Sequence, residues 1–97
     1  MKKTDYRELA LAEIFHKIFL LKKDVNNYKN GLFDYPFDCL YREILSAQTT
    51  ISAFYDIDLI SDDEYSNFVK KISELEKLIS DEISDYWEFL KKHYPRC

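Results

Sequence analysis

The chain of 97 residues contains very little of what interrupts a regular backbone: one glycine, Gly31, and two prolines, Pro36 and Pro95. Glycine supplies the positive φ angles of tight turns and proline ends helices, so a chain this poor in both has few turns. The lone glycine also excludes a glycine-rich phosphate loop and a glycine-flanked nucleophile. The sequence therefore predicts a mostly helical protein with few connections.

Long apolar runs and a cysteine framework are also missing. No stretch of about 18 apolar residues occurs, so we expect no membrane span. The basic start of the chain is followed by polar residues and not by the apolar core of a signal peptide. The two cysteines, Cys39 and Cys97, permit a disulfide but do not imply one. These features predict a cytoplasmic protein with a single helical domain over residues 1–97.

Apolar residues recur at the spacing of an α-helix in three long segments. The first helix is expected over about residues 5–26, with Thr4 as its N-cap and Gly31 or a nearby asparagine as its left-handed cap. Two phenylalanines widen its apolar stripe, which predicts burial on more than a narrow seam. The stripe consists of Leu11, Ile14, Ile18, Leu21 and Val25, widened by Phe15 and Phe19.

The second helix is expected to have Asp34 as its cap and Pro36 in its first turn, and to end near Asp56. Small residues in its centre favour close approach of a neighbouring helix. One apolar face runs along it, formed by Phe37, Leu40, Tyr41, Ile44, Ala47, Ile51, Phe54 and Tyr55.

The turn into the third helix carries the strongest local signal. Ser61 and Glu64 have the spacing of a capping box, and Ile60 and Tyr65 have that of a hydrophobic staple. The third helix is expected over residues 62–93, a length of about 45 Å at 1.5 Å per residue. Its stripe consists of Tyr65, Phe68, Val69, Ile72, Leu75, Ile79, Ile83, Tyr86 and Leu90.

These segments predict an all-α fold, an antiparallel bundle of three long helices, or of four if the third breaks near Ser80–Ser84. In an up-down-up arrangement, the N-terminus lies at the same end as the turn between the second and third helices. Lys2, Lys3 and Arg7 are therefore expected to offset the acidic charge of that turn.

The net charge of −4 is unevenly distributed along the chain. Residues 1–30 carry +3, residues 31–69 carry −7, and residues 70–97 are neutral. Arg42 is the only base of the middle segment, which also holds four tyrosines. Carboxylates disfavour nucleic-acid phosphates and favour a basic partner, while tyrosine offers a large contact area at low entropic cost. The simpler alternative is a solvated acidic face that maintains solubility.

Residue pairs with catalytic or metal-binding chemistry are isolated. Glu13 and His16 have the Glu-x-x-His spacing of di-iron bundles, but such sites need two copies and further glutamates. His93 and Cys97 are four residues apart, a spacing that suits zinc, but Pro95 lies between them. The acidic residues near the second turn lack the spacing of a calcium loop. We therefore expect no enzyme, no cofactor and no metal.

The segment Asp34-Tyr35-Pro36-Phe37-Asp38 places a Tyr-Pro step between aspartates in a small, acidic, helical chain. In these features the chain resembles the bacterial immunity proteins that neutralise nuclease toxins. In the colicin-nuclease immunity family, a Tyr-Tyr-Pro step beside an acidic helix forms the toxin-binding face. Here Asp34 stands in place of the first tyrosine, and the resemblance implies that Tyr35 is the anchor. Phage-encoded inhibitors of host nucleases share the same general character.

We therefore expect a small acidic inhibitor, an immunity protein or phage-type inhibitor, that occludes the nucleic-acid-binding or active surface of a basic nuclease or toxin. No direct contact with nucleic acid or membrane is expected. The alternative is a structural or regulatory dimerisation module, a homodimer that uses the long third helix as a coiled-coil-like arm. The expected partner-binding residues form two groups, one at each end of the second helix: Asp34, Tyr35, Asp38 and Tyr41, and Tyr55, Asp56, Asp58, Asp62, Asp63, Glu64 and Tyr65.

Overall fold

The computed structural model describes residues 2–93, except for the side chain of Lys3. This part of the chain forms four α-helices and no strand, which confirms the all-α prediction. The two sequence predictions that involve Pro95 and Cys97 lie outside the described residues. The helices are α1 (Lys3–Lys29), α2 (Phe37–Asp56), α3 (Asp62–Leu78) and α4 (Ser80–His93).

Helix α1 is longer than predicted at both ends. Its N-cap is Lys2 and not Thr4, and the Asp5 carboxylate accepts a hydrogen bond from the Lys2 backbone N–H at 3.3 Å. At the other end Gly31 adopts a φ of +73°, as the left-handed cap requires. The Leu32 N–H donates to the Asn27 carbonyl at 2.7 Å, which completes a Schellman motif.

The predicted start of α2 is wrong by a few residues. Pro36 is the N-cap, with an extended ψ of 154°, and no side chain caps the helix. The Pro36 carbonyl accepts from the Cys39 N–H at 3.0 Å, so the helix begins directly after the proline. Asp34 therefore lies in the connection before the helix and not at its cap.

The third predicted helix is not continuous. It is interrupted at Ile79, which agrees with the alternative of four helices from a break near Ser80–Ser84. Ile79 has a φ of −126°, and its N–H donates to the Glu76 carbonyl three residues back. Its side chain is fully buried, so the interruption between α3 and α4 lies in the core.

Helix α2 is central, because it contacts the other three helices; α1 also contacts α3, and α4 contacts α2 and α3. The prediction that Phe15 and Phe19 widen the buried face of α1 is wrong, since they are 52% and 67% exposed. The buried core contains Ile14, Leu21, Val25, Leu40, Ile44, Ala47, Ile51, Ile60, Phe68, Ile72, Leu75 and Ile79.

The molecule is flat for its size, with principal extents of 48, 36 and 21 Å. Its radius of gyration is 15.4 Å, whereas about 13 Å is typical of a compact 100-residue domain. Helix α4 explains part of the difference, because none of its residues is fully buried. It lies at the margin of the core, where its aromatic side chains reach the first turns of α2.

Candidate functional site

Seven aromatic side chains form a continuous row that joins α1, the connection after it, α2 and α4. The centroids of neighbouring rings lie between 5.5 and 6.3 Å apart, and most pairs are tilted or edge-to-face, as aromatic pairs prefer. This aromatic row consists of Tyr35, Phe33, Tyr28, Phe37, Tyr41, Tyr86 and Trp87.

The aromatic row is anchored in its middle and open at its two ends. Tyr28, Phe33 and Phe37 pack against the buried core. Tyr35 at one end is 69% exposed, and Trp87 at the other is 48% exposed. Rings that are held in place but exposed are suited to contact another macromolecule, because little side-chain freedom remains to be lost on binding.

Helix α4 is joined to the row by polar and aromatic contacts. The Trp87 indole N–H donates to the Tyr41 hydroxyl at 3.1 Å. The Tyr86 ring lies 5.7 Å from Phe37 and 5.5 Å from Tyr41. Two of these four residues belong to α4, so the row is complete only when α4 lies against α2.

An open depression of about 440 Å³ lies beside Tyr35, at one exposed end of the row. Three carboxyl groups line it with one ammonium group, and Tyr35 and Phe33 form part of its wall. A basic side chain entering here would meet both carboxylates and aromatic rings. Its lining residues are Lys23, Asp24, Asn27, Leu32, Phe33, Asp34, Tyr35, Cys39 and Glu43.

Two of these acids, Asp24 of α1 and Glu43 of α2, interact across the helix interface. The Glu43 Oε2 atom is buried and has no hydrogen-bond partner among the described residues. Burial, and next the interaction with Asp24, raise the pKa of Glu43 to about 7. Glu43 can therefore take up a proton near neutral pH, and its ionised form at higher pH would favour a cation.

Further carboxylates flank the middle of the row. Asp38 lies 3.9 Å from Arg42, whose side chain is largely exposed. Burial raises the pKa of Tyr28, and the charges of Glu82 and Asp85 on α4 raise it further. Helix α4 thus adds to the acidic character of this end, a contribution that the charge distribution along the chain did not reveal.

Several residues of the second predicted group, at the turn between α2 and α3, form contacts with other residues of the same protein. Asp58 adopts a φ of +60°. The Leu59 N–H donates to the Phe54 carbonyl at 2.9 Å and the Asp58 N–H to the Tyr55 carbonyl at 3.1 Å. Asp58 therefore occupies the left-handed position of a Schellman motif that ends α2.

The two tyrosines of this group contact each other. Tyr55 stacks on Tyr65 with their centroids 4.3 Å apart and their planes at 22°. The Tyr55 hydroxyl donates to Asp62 Oδ1 at 2.6 Å, and this bond is the main cause of the raised pKa of Tyr55. These side chains hold the turn together, while Asp56 and Asp63 are exposed.

Glu64 is likewise committed to internal contacts. Its backbone N–H donates to Ser61 Oγ at 3.2 Å, and its carboxylate accepts from the Ser61 N–H at 2.8 Å, which confirms the capping box. The same carboxylate pairs with Arg7 of α1. The expectation that Arg7 lies near this acidic turn is therefore confirmed.

The structure does not bring the two predicted groups together. They lie at opposite ends of α2, whose 20 residues correspond to about 30 Å. The first group is joined by residues that the sequence analysis missed: Tyr28, Asp24, Glu43, Tyr86 and Trp87. The sequence signal that could have pointed to α4 is Trp87, the one tryptophan of the chain, which directly follows the apolar stripe residue Tyr86.

Other chemistry has little support in the part of the chain that the structure describes. Cys39 is a free, half-buried thiol. Glu13 lies 3.7 Å from Lys17 on the surface of α1. No three His, Cys, Asp or Glu side chains among residues 2–93 are grouped so that they could hold a metal ion. In the same range no helix has both the length and the apolar character to cross a bilayer.

Comparison with known protein families, with curated proteins and with solved structures finds no match to this chain.

Proposed function

We propose that this protein is a small acidic inhibitor that binds a basic protein, a nuclease or toxin, and occludes its nucleic-acid-binding or active surface. In this proposal the protein acts by binding in the cytoplasm, as an immunity protein or phage-type inhibitor, and not as an enzyme. The aromatic row and the adjacent depression form the binding face.

The observation that carries the proposal is the position of Tyr35. Its ring is largely exposed, it contacts Phe33 at one end of the aromatic row, and it lines the depression that holds Asp24, Asp34 and Glu43. Interfaces commonly depend on an aromatic anchor beside a pocket that accepts a partner side chain. The carboxyl groups favour a lysine or arginine in that pocket.

The turn between α2 and α3 has a smaller part in the proposal. Tyr55, Tyr65 and Glu64 already have partners within the protein. If these three residues bound a partner, their contacts within the protein would have to break. Asp56, Asp63 and their neighbours are more suited to steer a basic partner over long distance than to anchor it.

We also propose that the helices form an antiparallel bundle. Arg7 near the start of α1 contacts Glu64 near the start of α3, and Tyr28 near the end of α1 contacts Phe37 at the start of α2. These contacts support an up-down-up order of α1, α2 and α3. That order leaves the aromatic row at one end and the acidic turn at the other.

The test begins with a partner that co-purifies from native cells, or with the product of a nuclease or toxin gene beside this one. The purified pair is studied by calorimetry, and inhibition of the partner's nuclease activity is measured in parallel. We expect Tyr35→Ala to weaken binding by about 30-fold, the loss of about 2 kcal/mol typical of a hot-spot anchor. Asp34→Lys should mainly slow association and reduce its salt dependence.

Tyr55→Ala is the matched control, because it removes a tyrosine at the other end of α2. We expect it to bind nearly as the original protein does. The proposal is wrong if Tyr35→Ala binds normally while changes at residues 73–84, outside the aromatic row, abolish binding. That outcome would favour the dimerisation module, the alternative function.

A further inference from the structure

Helix α1 is apolar on its outer side as well as on the side that faces the core. From Leu9 to Leu21 all but three positions are apolar. The core takes up Ile14 and Leu21, whereas Leu9 and Phe19 are largely exposed. A helix that is apolar on all sides is normally buried on all sides. The outer side of α1 therefore has the composition of a surface that another molecule covers.

The exposed residues on this outer side have a seven-residue pattern. Six of them recur at alternating intervals of four and three residues. At 3.6 residues per turn they lie within an arc of about 80°, opposite the buried Ile14 and Leu21. This spacing is typical of a helix that pairs with another helix along its length. The outer stripe consists of Asp5, Leu9, Ala12, His16, Phe19 and Lys23.

The order of residues in the outer stripe is complementary to its own reverse. From each end inward, the stripe has a charged residue, a large apolar residue and then a small or polar residue. The two end charges have opposite signs. A second stripe that runs in the opposite direction therefore places acid against base and apolar against apolar. The facing pairs are Asp5 with Lys23, Leu9 with Phe19 and Ala12 with His16, all centred on Ile14.

We propose that this protein forms a homodimer in which the outer stripe of α1 packs antiparallel on the outer stripe of a second copy. One two-fold axis near Ile14 satisfies all the facing pairs. Parallel pairing would place Asp5 against Asp5 and Lys23 against Lys23, and the repulsion of like charges disfavours it. The stripe shares only Lys23 with the depression beside the aromatic row. The dimer thus goes beyond the proposed inhibitor function and uses a different face.

Neighbouring charges support the antiparallel direction. Glu8 is exposed and lies about one turn after Asp5. Lys22 is exposed and directly precedes Lys23. The acidic end and the basic end of the stripe each gain a second charge, so two opposite pairs of charges meet at both ends of the dimer. A basic partner finds no such match, because it would be repelled at the lysine end.

The size of the stripe predicts a weak dimer. It is about 27 Å long from Asp5 to Lys23 at 1.5 Å per residue. Phe15 borders it and contacts the Phe68 ring at 5.4 Å. Phe15 and Phe19 together expose about 240 Å², taking about 200 Å² for a whole phenylalanine. A standard interface buries about 800 Å² on each partner. We therefore expect dimers at high concentration and monomers on dilution.

The first test measures self-association of the purified protein by sedimentation, at concentrations up to millimolar. Phe19→Glu places a charge against Leu9 of the other copy, and we expect the dimer dissociation constant to rise by at least about tenfold. Because Phe19 is largely exposed, the variant should keep its helical circular dichroism. Leu45→Glu is the control, since it adds the same charge at an exposed leucine of α2 and should leave the dimer unchanged.

The second test examines the direction of pairing. Glu8→Lys and Lys23→Glu each replace attraction by repulsion at both ends of the dimer, so each should raise the dissociation constant by about tenfold at low salt. The variant with both changes has the reverse order of charges, which is again complementary to itself. We expect its dissociation constant to return to within about threefold of the original value.

These measurements use the purified chain alone, so their outcome is independent of the inhibitor function. A protein that stays monomeric at millimolar concentration would overturn the proposal. A dimer that Phe19→Glu leaves unchanged would also overturn it, because its interface would lie elsewhere. Single reversals of Glu8 and Lys23 without effect, or a double reversal that does not restore the dimer, would contradict the antiparallel pairing.

Discussion

The Arg7 guanidinium holds the Glu64 carboxylate by two hydrogen bonds of 2.7 and 2.6 Å, joining residues that are 57 positions apart. Arg7 Nη1 also donates to the Leu59 carbonyl at 3.1 Å. Since Glu64 is part of the capping box with Ser61, one arginine links α1, the turn before α3 and the start of α3. These bonds lower the pKa of Glu64 to about 2.

The first prediction concerns the acid side of the stability curve. The folded protein holds Glu64 ionised down to about pH 2, whereas the ordinary pKa is 4.5. The stabilisation from this pair is therefore complete above pH 4.5 and is lost as the pH falls through 2. We expect Arg7→Gln to lower the thermal midpoint at neutral pH and to flatten the loss of stability over that range.

The control for this change is Arg42→Gln, because Arg42 lies 3.9 Å from Asp38 and is mostly exposed. Thermal unfolding followed by circular dichroism at several pH values gives the slope of the thermal midpoint against pH for each variant. Identical acid slopes for Arg7→Gln and the original protein would contradict the assignment.

The second prediction concerns the capping box. Ser61→Ala removes the acceptor for the Glu64 N–H, and we expect a loss of about 0.5–2 kcal/mol in the free energy of unfolding. Because the two residues bond reciprocally, the losses from Ser61→Ala and Glu64→Ala should not add. Urea unfolding of both single variants and the double variant measures this coupling. Ser66→Ala, exposed on the same helix, is the control, and simple additivity would argue against the box.

The third prediction concerns the Asp24–Glu43 pair. Folding raises the pKa of Glu43 from 4.5 to about 7, so the folded state holds more protons than the unfolded state between these values. Stability from this group is complete below pH 4.5 and is lost as the pH rises to 7, by at most about 1.4 kcal/mol per pH unit for one proton. We expect Glu43→Gln to remove this slope and to be stabilising above pH 7.

Urea unfolding of the original protein and of Glu43→Gln, measured from pH 4.5 to above pH 7, checks the effect of Glu43 on stability. Glu74→Gln is the control, because Glu74 is an exposed carboxylate on α3. If Glu43→Gln and Glu74→Gln leave the same pH slope, the pKa of Glu43 is not raised in the folded protein.

The fourth prediction separates buried from exposed apolar residues on α1. Leu21 is 1% exposed and Leu9 is 57% exposed. We expect Leu21→Ala to cost about 2–5 kcal/mol, because it leaves a cavity in the core. Leu9→Ala should change the free energy of unfolding by less than about 1 kcal/mol, since the side chain already lies largely in water. Similar losses in urea melts would show that this surface of α1 is covered in solution.

Two local features of the structure, the cap after α1 and the capping box of α3, were predicted well from the sequence because atoms within a few residues decide them. Gly31 takes the left-handed cap because it has no Cβ, and Ser61 and Glu64 form a capping box because their spacing aligns the side chains with free N–H groups. The apolar face of α2 was also predicted, with Leu40, Ile44 and further residues buried as expected.

The candidate site was predicted only in part. Tyr35 was identified from its sequence neighbours, and the structure places it at an exposed position on the connection before α2. Tyr86 and Trp87 were not identified, because their contacts with Phe37 and Tyr41 join segments that are distant in the sequence. Asp24 and Glu43 were not paired, since their meeting depends on how α1 and α2 pack.

The sequence by itself determined the helical class, the left-handed cap after α1, the end of α2 and the capping of α3, because hydrogen bonds and backbone preferences act over a few residues. Only the tertiary structure decided which apolar side chains are buried, as Phe15 and Phe19 show. It also decided where the third predicted helix is interrupted, at Ile79, whose side chain is fully buried. Packing between segments that are distant in the sequence thus forms both the aromatic row and the Asp24–Glu43 pair.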